Sequence, residues 1–255
     1  MIHALIRTVL TYAMILVATP IIAGSVVIAG LLGLKNRPGS VFDLAPRVWS
    51  RLLLWAAGAK VVVHGGEHRL GDRHIFVGNH VSWFDVFAMA AHLRWFKFVA
   101  KAELFRIPLF GPAMRYAGMI PIERQNQSRA RASIDQAGAE ITRGASVILF
   151  PEGTRGREYT LRPFKKGAFV LAIETEAPIV PVAIHGTIGI QPKGSVLIRP
   201  GRIDLHFLPP IETSGRFYED RDVLAAEAKR RIGECLMAAY GIPALPEKAG
   251  TRSNA

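Results

Sequence analysis

The sequence predicts an α/β fold with a mixed, mostly parallel sheet flanked by helices, preceded by a separate N-terminal helical segment. Three observations support this prediction. From residue 60 onwards, short runs rich in Val, Ile and Phe alternate with longer helical stretches, a pattern typical of strands connected through helices. The chain has 255 residues, which suits one large domain with an appendage. Before the alternation begins, residues 8–34 form an uncharged, apolar stretch.

The N-terminal segment, residues 1–59, is predicted to anchor the chain in a membrane. Residues 8–34 contain no charged side chain, and as one helix they would extend about 40 Å, enough to cross a bilayer. A secretory signal is the alternative, but its apolar region spans only about 7–15 residues. Pro20 and Gly24 lie near the middle and leave open either a kinked helix or a segment that enters and leaves the same leaflet.

A second apolar stretch, at residues 48–59, is short and contains Arg51. Together with Trp49 and Trp55, this composition predicts an interfacial helix rather than a second span. More cations follow the long apolar stretch than precede it, where Arg7 stands alone. The positive-inside rule therefore predicts that the main domain lies on the cytoplasmic side. The cations that follow the stretch are Lys35, Arg37, Arg47, Arg51 and Lys60.

Residues 60–242 are predicted to form one folded domain, and residues 243–255 a flexible polar tail. The predicted strands lie at residues 60–64, 74–77, 96–100, 119–122, 146–150, 179–184, 196–199 and 203–207. The predicted helices lie at residues 83–93, 128–143, 166–176 and 222–240. Aromatic and basic residues interleave at residues 94–110, and these aromatics either contact lipid or belong to the core.

The charge of the chain, +12 at pH 7, indicates an anionic partner or surface. Nucleic acid and anionic lipid are the two usual candidates. The apolar N-terminal segment favours lipid, and no helix-turn-helix, zinc finger or similar module is recognisable, so we expect no nucleic-acid partner. Cys235 is the single cysteine, which excludes an internal disulfide, and no Cys/His cluster suggests a metal site.

The most informative motif joins His80 and Asp85, five positions apart, directly after an apolar strand. Histidine can take up and return a proton near neutral pH, and a neighbouring carboxylate can orient its ring. A structural interpretation competes, because Ser82 and Asp85 fit a capping box at the start of a helix. The two interpretations are compatible, and the motif alone does not decide between them.

A second motif follows the predicted strand at residues 146–150 and contains Glu152, Gly153, Thr154 and Arg155. The glycine permits close approach of a ligand to the backbone, and the threonine and arginine offer donors that suit a phosphate. Glu152 is either a carboxylate in a surface ion pair, which is worth little, or an acceptor for substrate hydroxyls beside a phosphate site.

Two further cations stand at predicted strand ends: Lys101 after residues 96–100, and Arg124 after residues 119–122. A solvated surface position is the default interpretation of any one of them. Ligand sites of α/β proteins form at the carboxyl ends of strands. Four such segments with histidine, lysine, arginine and the Glu-Gly-Thr-Arg motif therefore favour a shared site.

Taken together, these motifs resemble the glycerolipid acyltransferases of the lysophosphatidic acid (1-acylglycerol-3-phosphate) acyltransferase family. The four blocks of that family appear in order, at residues 79–85, 101–124, 150–155 and 179–183. The resemblance implies that His80 is the catalytic base and Asp85 its partner. It also implies a set of substrate-binding residues: Lys101, Arg124, Glu152, Gly153, Thr154 and Arg155. Gly156 departs from the family pattern, in which a serine often follows the third block.

The resemblance implies transfer of a fatty acyl group from acyl-CoA or acyl-acyl carrier protein (acyl-ACP) to the free hydroxyl of 1-acylglycerol-3-phosphate, giving phosphatidic acid. No metal or other cofactor is implied beyond the thioester co-substrate. The expected partners are membrane lipids, lysophosphatidic acid, and coenzyme A or acyl carrier protein. Two alternatives stay open: an acyltransferase for another lyso-lipid, such as lyso-ornithine lipid or a phospholipid being remodelled, and a non-catalytic membrane protein that binds lipid.

Overall fold

The computed structural model describes residues 2–71, 73–123 and 127–243. Arg124, one of the predicted site residues, lies outside this part of the chain. The predicted tail also lies outside it, apart from residue 243.

The N-terminal segment forms two helices, α1 (Ile2–Leu31) and α2 (Val41–Ala57). Helix α1 continues through Pro20 rather than turning back, and its 30 residues extend about 45 Å. Among the described residues it is one helix long and apolar enough to cross a membrane. Large apolar side chains remain exposed along it, including Ile2, Leu5, Val9, Leu16, Ile21 and Ile28.

Helix α2 packs against α1 and ends at Gly58, which adopts the left-handed conformation that favours glycine. Two side chains connect the helices. The Trp49 indole donates to the Thr19 hydroxyl at 2.9 Å, and the Arg7 guanidinium donates to the Ala56 carbonyl at 3.3 Å. The second contact places a cation at the negative end of the α2 dipole. Helix α2 begins seven residues earlier than the sequence predicts.

A seven-stranded sheet forms the centre of the rest of the described chain. Its strands are β1 (Ala59–His64), β2 (Ile75–Gly78), β3 (Phe96–Lys101), β4 (Ile120–Ile122), β5 (Ser146–Leu149), β6 (Ile179–His185) and β7 (Gly201–Phe207). Their order across the sheet is β1-β7-β6-β2-β5-β3-β4. Neighbouring strands are parallel except for β6 and β7. The predicted mixed, mostly parallel sheet is therefore confirmed.

Helices cover both faces of the sheet, because its strands are apolar on both sides. One core cluster joins the sheet to side chains of α1, α2 and the helix at residues 83–92. A second joins it to later helices, and a small third cluster joins β6 to the helix at residues 221–240. These remaining helices are α3 (Trp83–His92), α4 (Phe110–Tyr116), α5 (Gln127–Thr142), α6 (Gly167–Thr175), α7 (Thr187–Ile190) and α8 (Arg221–Tyr240). The four predicted helices of this domain are confirmed to within one residue at each end, and α4 and α7 were not predicted.

The predicted strand at residues 196–199 is wrong, whereas the other seven predicted strands are present to within two residues at each end. Its backbone N–H groups are already used elsewhere. Ile198 N–H donates to the Thr8 hydroxyl of α1 at 2.8 Å, and Arg199 N–H donates to the Ile190 carbonyl at 2.9 Å. Pro200, which follows, has no N–H to offer. The segment therefore connects α1 to α7 instead of extending the sheet.

Of the two interpretations offered for residues 94–110, the core interpretation is right for Trp95, Phe96 and Phe105, which are all buried. Lys97 is buried with them. Its ammonium donates to the Ala117 carbonyl at 2.7 Å and lies 4.0 Å from the Trp95 ring centroid. Burial lowers the pKa of Lys97 to about 8, against the opposing charges of Glu140 and Asp43.

Candidate active site

The site lies where β2 and β5, neighbours in the sheet, both end. The two strands run parallel, with Val77 of β2 opposite Leu149 of β5. The loops that follow them therefore leave the sheet at the same edge. One loop carries His80 into helix α3, and the other carries the Glu-Gly-Thr-Arg motif. The sheet thus brings together two motifs about 70 residues apart in the chain.

The first loop builds a capping box and a histidine–carboxylate pair from the same side chains. The Ser82 hydroxyl accepts from the Phe84 N–H at 3.2 Å at the start of α3. Asp85 Oδ2 accepts from the N–H groups of Val81 and Ser82 at 2.7 and 2.8 Å. The same oxygen lies 2.9 Å from His80 Nδ1. The capping box and the histidine–carboxylate contact therefore form together: the helix cap positions the carboxylate against the histidine.

The Asp85 contact fixes which ring nitrogen can act as a base. A carboxylate that accepts at Nδ1 favours the tautomer with its proton there, which leaves the Nε2 lone pair free to take another proton. Asp85 is fully buried, at 0% exposure, and its Oδ1 has no hydrogen-bond partner among the described residues. A buried carboxylate with a spare oxygen is well placed to stabilise the imidazolium that forms when Nε2 is protonated.

The His80 ring is also held by packing. It stacks on Phe150, the first residue after β5, with ring centroids 4.2 Å apart and 19° between the planes. The side chain is 13% exposed, so a small part of the ring meets solvent. The ring is therefore fixed on one face, bonded at Nδ1 and still accessible.

The second loop also forms hydrogen bonds with both the N–H and the carbonyl of His80. The His80 N–H donates to Glu152 Oε1 at 2.8 Å, and the His80 carbonyl accepts from the Gly156 N–H at 2.7 Å. The other oxygen of Glu152 accepts from the backbone N–H and Nε of Arg162, at 3.3 and 3.1 Å. Since protein groups engage both of its oxygens, Glu152 holds the loop that carries His80. Glu152 is therefore an ion-paired loop carboxylate, as one interpretation of the sequence expected, but it is buried rather than on the surface.

Gly153 and Thr154 shape the turn beside the pair. Gly153 has φ +75°, a backbone conformation that favours glycine. The Thr154 side chain is exposed, and its carbonyl accepts from the Arg162 guanidinium. Thr154 is thus exposed to solvent on a turn that the Arg162 side chain holds.

Arg155 lies over the outer face of α3. Its guanidinium carbon is 4.8 Å from the centroid of the Trp83 ring, a cation–π arrangement. Partial burial lowers the pKa of Arg155, and the negative charge of Asp85 raises it, but an arginine stays charged at neutral pH. No carboxylate among the described residues forms an ion pair with it. The guanidinium is therefore an available cation beside His80.

Lys101 lies farther away along the same edge. It ends β3, two positions across the sheet from β2, which corresponds to about 10 Å between the strands. Its ammonium pairs with Glu103 at 2.9 Å, but the lysine side chain is 58% exposed and the pair is weak. A bound anion can therefore replace that partner. The position of Arg124 relative to the site is outside the described residues.

Three residues that support the site were not predicted. The Asn79 side chain donates to the Ile184 carbonyl at 2.9 Å and accepts from its N–H at 2.8 Å, which ties the end of β2 to β6. Asn79 is the first residue of the block at residues 79–85, so its position in that block could have predicted a role at the site. Arg162 and Lys193 reach the second loop from outside the motifs. Arg162 belongs to the run of cations that follows Glu152 in the sequence, whereas no local pattern marks Lys193.

Two histidines and an aspartate on β1 and β7 are close enough to be considered as a metal site. The potential ligand atoms of His64, Asp204 and His206 lie within 4.8 Å of one another. Existing bonds occupy these groups. Arg202 binds both oxygens of Asp204, at 2.7 and 2.9 Å, and the His64 and His206 rings stack in parallel 4.1 Å apart. Parallel stacking points the ring lone pairs side by side, an unsuitable arrangement for one shared ion. We assign no metal to this cluster.

Comparison with known proteins agrees with this geometry. Residues 60–185 match the family model described as Acyltransferase. A chloroplastic 1-acyl-sn-glycerol-3-phosphate acyltransferase of Brassica napus is 34% identical over 163 residues, which cover 64% of this chain and 46% of the relative. A Caenorhabditis elegans protein with the provisional name 1-acyl-sn-glycerol-3-phosphate acyltransferase acl-2 is 30% identical over 204 residues, which cover 77% and 70% of the two chains.

The fold also has a solved counterpart, the crystal structure of the 1-acyl-sn-glycerophosphate acyltransferase PlsC from Thermotoga maritima. It superimposes with a TM-score of 0.69 at 27% identity, covering 92% of this chain and 96% of that one. The chain spans about half the length of the first curated relatives that it matches. Its likeness to the solved structure, in contrast, extends over nearly the whole of both chains.

Proposed function

Because the chain belongs to the 1-acyl-sn-glycerol-3-phosphate acyltransferase family, we propose that it transfers a fatty acyl group from a thioester to the free hydroxyl of 1-acylglycerol-3-phosphate. The product is phosphatidic acid. The observation that carries this proposal is the His80–Asp85 pair, at 2.9 Å, in which no carboxylate of the described residues contacts the second nitrogen of the imidazole. An acyl transfer to a hydroxyl requires such a base.

In the proposed reaction, His80 Nε2 removes the hydroxyl proton of the acceptor as that oxygen attacks the thioester carbonyl. Asp85 stabilises the resulting imidazolium through Nδ1. The tetrahedral intermediate then collapses, the carbon–sulfur bond breaks, and the imidazolium returns the proton to the departing thiolate. A thioester is already activated, so the transfer needs no covalent acyl-enzyme. The acyl donor, acyl-CoA or acyl-ACP, is a co-substrate, and the proposal requires no other cofactor.

Arg155 is proposed to bind the phosphate of the acceptor. Its guanidinium can bind two phosphate oxygens at once, and it lies beside the histidine loop without an ion-pair partner among the described residues. We propose that Lys101 and Arg124 add positive charge on the same side, and that Thr154 donates through its exposed hydroxyl. Glu152 and Gly153 contribute by fixing the loop.

The N-terminal helices are proposed to hold this site at a membrane. The acceptor and the product are both membrane lipids, and α1 exposes apolar side chains along its length. Basic residues near the bilayer attract anionic headgroups by about 1 kcal/mol each, and the chain carries twelve net positive charges. We propose a membrane-associated enzyme with its catalytic domain on the cytoplasmic side.

An assay that crosses two donors with a panel of acceptors tests the function. Acyl-CoA and acyl-ACP would each be offered with lysophosphatidic acid, lyso-ornithine lipid, lysophosphatidylcholine and the uncharged monoacylglycerol. We expect the highest kcat/KM with lysophosphatidic acid and little transfer to monoacylglycerol, because only the former carries the phosphate that Arg155 binds. A preference for another lyso-lipid would overturn the proposed substrate while leaving the acyl transfer intact.

The variant His80→Ala tests the mechanism in the same assay. We expect kcat to fall by about 10²–10⁴-fold, the range for loss of a general base, while binding of lysophosphatidic acid persists. His68→Ala is the matched control, since His68 lies on the short turn at Gly66–Arg69 and contacts the exposed Glu67 instead. Full activity of His80→Ala would contradict the assigned base. Lipid binding with no transfer in the unaltered protein would indicate a non-catalytic lipid-binding protein.

A further inference from the structure

The peptide unit between Arg155 and Gly156 is bonded on both sides. Its N–H, from Gly156, donates to the His80 carbonyl at 2.7 Å. Its carbonyl, from Arg155, accepts from the ammonium of Lys193 at 2.9 Å. One side of this peptide therefore fixes the catalytic histidine, and the other is bound by a cation from a distant part of the chain.

Lys193 reaches this peptide from the loop between α7 and β7. That loop is itself attached to the site, because the Gln191 carbonyl accepts from the Ser82 hydroxyl at 2.7 Å at the cap of α3. Within the loop, the Gln191 side chain donates to the Ser195 carbonyl at 3.0 Å. Lys193 is half-buried and forms no ion pair with a carboxylate among the described residues. Its one hydrogen bond within the described chain is the bond to Arg155.

We propose that Lys193 is a positioning residue for the catalytic base, acting through the Arg155–Gly156 peptide. This inference rests on the proposed function of the site. An ammonium on the carbonyl polarises the peptide, which makes its N–H a stronger donor to His80. The Arg155 guanidinium is held separately, over the Trp83 ring. Lys193 therefore supports the base without touching the reacting atoms.

The second support of His80 operates at its N–H, where Glu152 accepts and Arg162 holds Glu152. Two cations outside the motifs thus secure the two backbone bonds of one histidine. A variant that lost the Arg162 side chain would keep one bond to Glu152, because the backbone N–H of Arg162 also donates to that carboxylate. The Arg155 carbonyl has only Lys193 among the described residues. We therefore expect Lys193 to be the more sensitive of the two.

A competing role would be direct binding of a substrate phosphate by the Lys193 ammonium. The two roles separate in kinetics, since lost substrate binding raises KM and lost positioning lowers kcat. They also separate by side-chain chemistry. A neutral donor such as glutamine can still bond to the Arg155 carbonyl, but it replaces a cation poorly at a phosphate.

The experiment compares Lys193→Met, Lys193→Gln and Lys193→Arg in the full-length protein. We expect Lys193→Met to lower kcat by about tenfold, because a loosened catalytic group costs up to about 10²-fold, with KM for lysophosphatidic acid unchanged. Lys193→Arg should restore most of the activity and Lys193→Gln part of it. Arg199→Met is the matched control: it removes one exposed cation from the same loop and should leave kcat unchanged. A thermal melt checks that each variant is folded.

Labelling with diethyl pyrocarbonate gives a readout that needs no substrate. This reagent modifies accessible imidazoles, and mass spectrometry reports its rate at His80 relative to His68. We expect Lys193→Met to raise the relative rate at His80, because the ring is no longer held against Phe150, and Arg199→Met to leave it unchanged.

Failure of this inference differs from failure of the proposed function. A raised KM with unchanged kcat, or unchanged kcat and unchanged labelling, would overturn the positioning role of Lys193 while the enzyme remains active. An unaltered protein that acylates no acceptor would overturn the proposed function. In that case, the labelling would still decide whether Lys193 positions His80.

Discussion

In the described part of the chain, two histidine–aspartate pairs of similar length lie at the sheet, and we propose a base at only one of them. His80 and Asp85 lie 2.9 Å apart in the loop after β2, and His64 and Asp204 lie 2.7 Å apart between β1 and β7. The difference begins at the carboxylates. Asp85 is fully buried and accepts from two backbone N–H groups. Asp204 is bound by Arg202, whose side chain lies in solvent.

The histidines differ as well. His80 contacts its carboxylate through Nδ1, which leaves Nε2, the nitrogen farther from the backbone, free for a substrate. His64 contacts its carboxylate through Nε2, so the free nitrogen is the one nearer the main chain. The His80 side chain is 13% exposed and stacked on Phe150, whereas that of His64 is 39% exposed.

Each pair also has an arginine beside it, and the two arginines are used in opposite ways. Arg202 neutralises Asp204 directly. Arg155 lies over Trp83 and stays free of carboxylates in the described part of the chain. A short histidine–aspartate distance therefore does not define a base. The partners of the carboxylate, the choice of ring nitrogen and a cation without an ion pair among the described residues together distinguish the pair proposed to act in catalysis.

The largest expected effect separates the two carboxylates. Asp85→Asn should lower kcat by about 10³-fold, because asparagine favours the wrong tautomer of His80 and cannot stabilise the imidazolium. Asp204→Asn should leave kcat unchanged, since Asp204 bonds to Arg202 and His64 and not to His80. Steady-state kinetics with lysophosphatidic acid measures both variants. If thermal melts show both variants to be folded, equal losses of kcat would contradict the proposal that Asp85, and not Asp204, acts with the base.

An intermediate effect is expected at the arginine of the first pair. Trp83→Leu removes the aromatic face under Arg155, a contact worth about 0.5–1 kcal/mol at such a site. We therefore expect KM for lysophosphatidic acid to rise by about two- to fivefold with little change in kcat. Trp83→Phe keeps a ring and serves as the control, with a smaller rise. A loss confined to kcat would instead show that Trp83 supports the His80 loop.

The smallest effect concerns stability near the second pair. Burial lowers the pKa of His206, with a further contribution from the charge of His64, and burial also lowers the pKa of His185. Between the lowered pKa and the ordinary value of about 6.5, the unfolded chain binds more protons than the folded one. Stability should therefore fall as the pH drops through this range.

Thermal melts between pH 5.5 and pH 7.5 measure this dependence. His206→Gln should flatten it, because glutamine does not titrate and can still bond to the Tyr240 hydroxyl that His206 contacts at 2.7 Å. The slope of kcat against pH should change little in this variant, since the cluster is separate from the base. An unchanged slope of stability in His206→Gln would refute the assigned role of this histidine.

Much of the fold was predictable because its signals are local. The strand at residues 60–64 contains three consecutive valines, and the helix from Trp83 begins with a capping box within four residues. The failed strand at residues 196–199 is also a short apolar run, with Val196, Leu197 and Ile198. Its backbone partners come instead from Thr8, 190 positions away, and from the end of α7. A propensity for strand does not reveal which partner a backbone will find.

The sequence by itself determined the alternation of strands and helices, the His80–Asp85 motif and the resemblance to a family. Each of these features depends on residues that lie close together in the chain. Only the tertiary structure decided that Glu152 and Lys193 support His80, and that His64 and Asp204 form a second, different pair. These contacts join residues 72, 38 and 140 positions apart. They depend on the order of the strands, which many weak interactions across the whole core fix together.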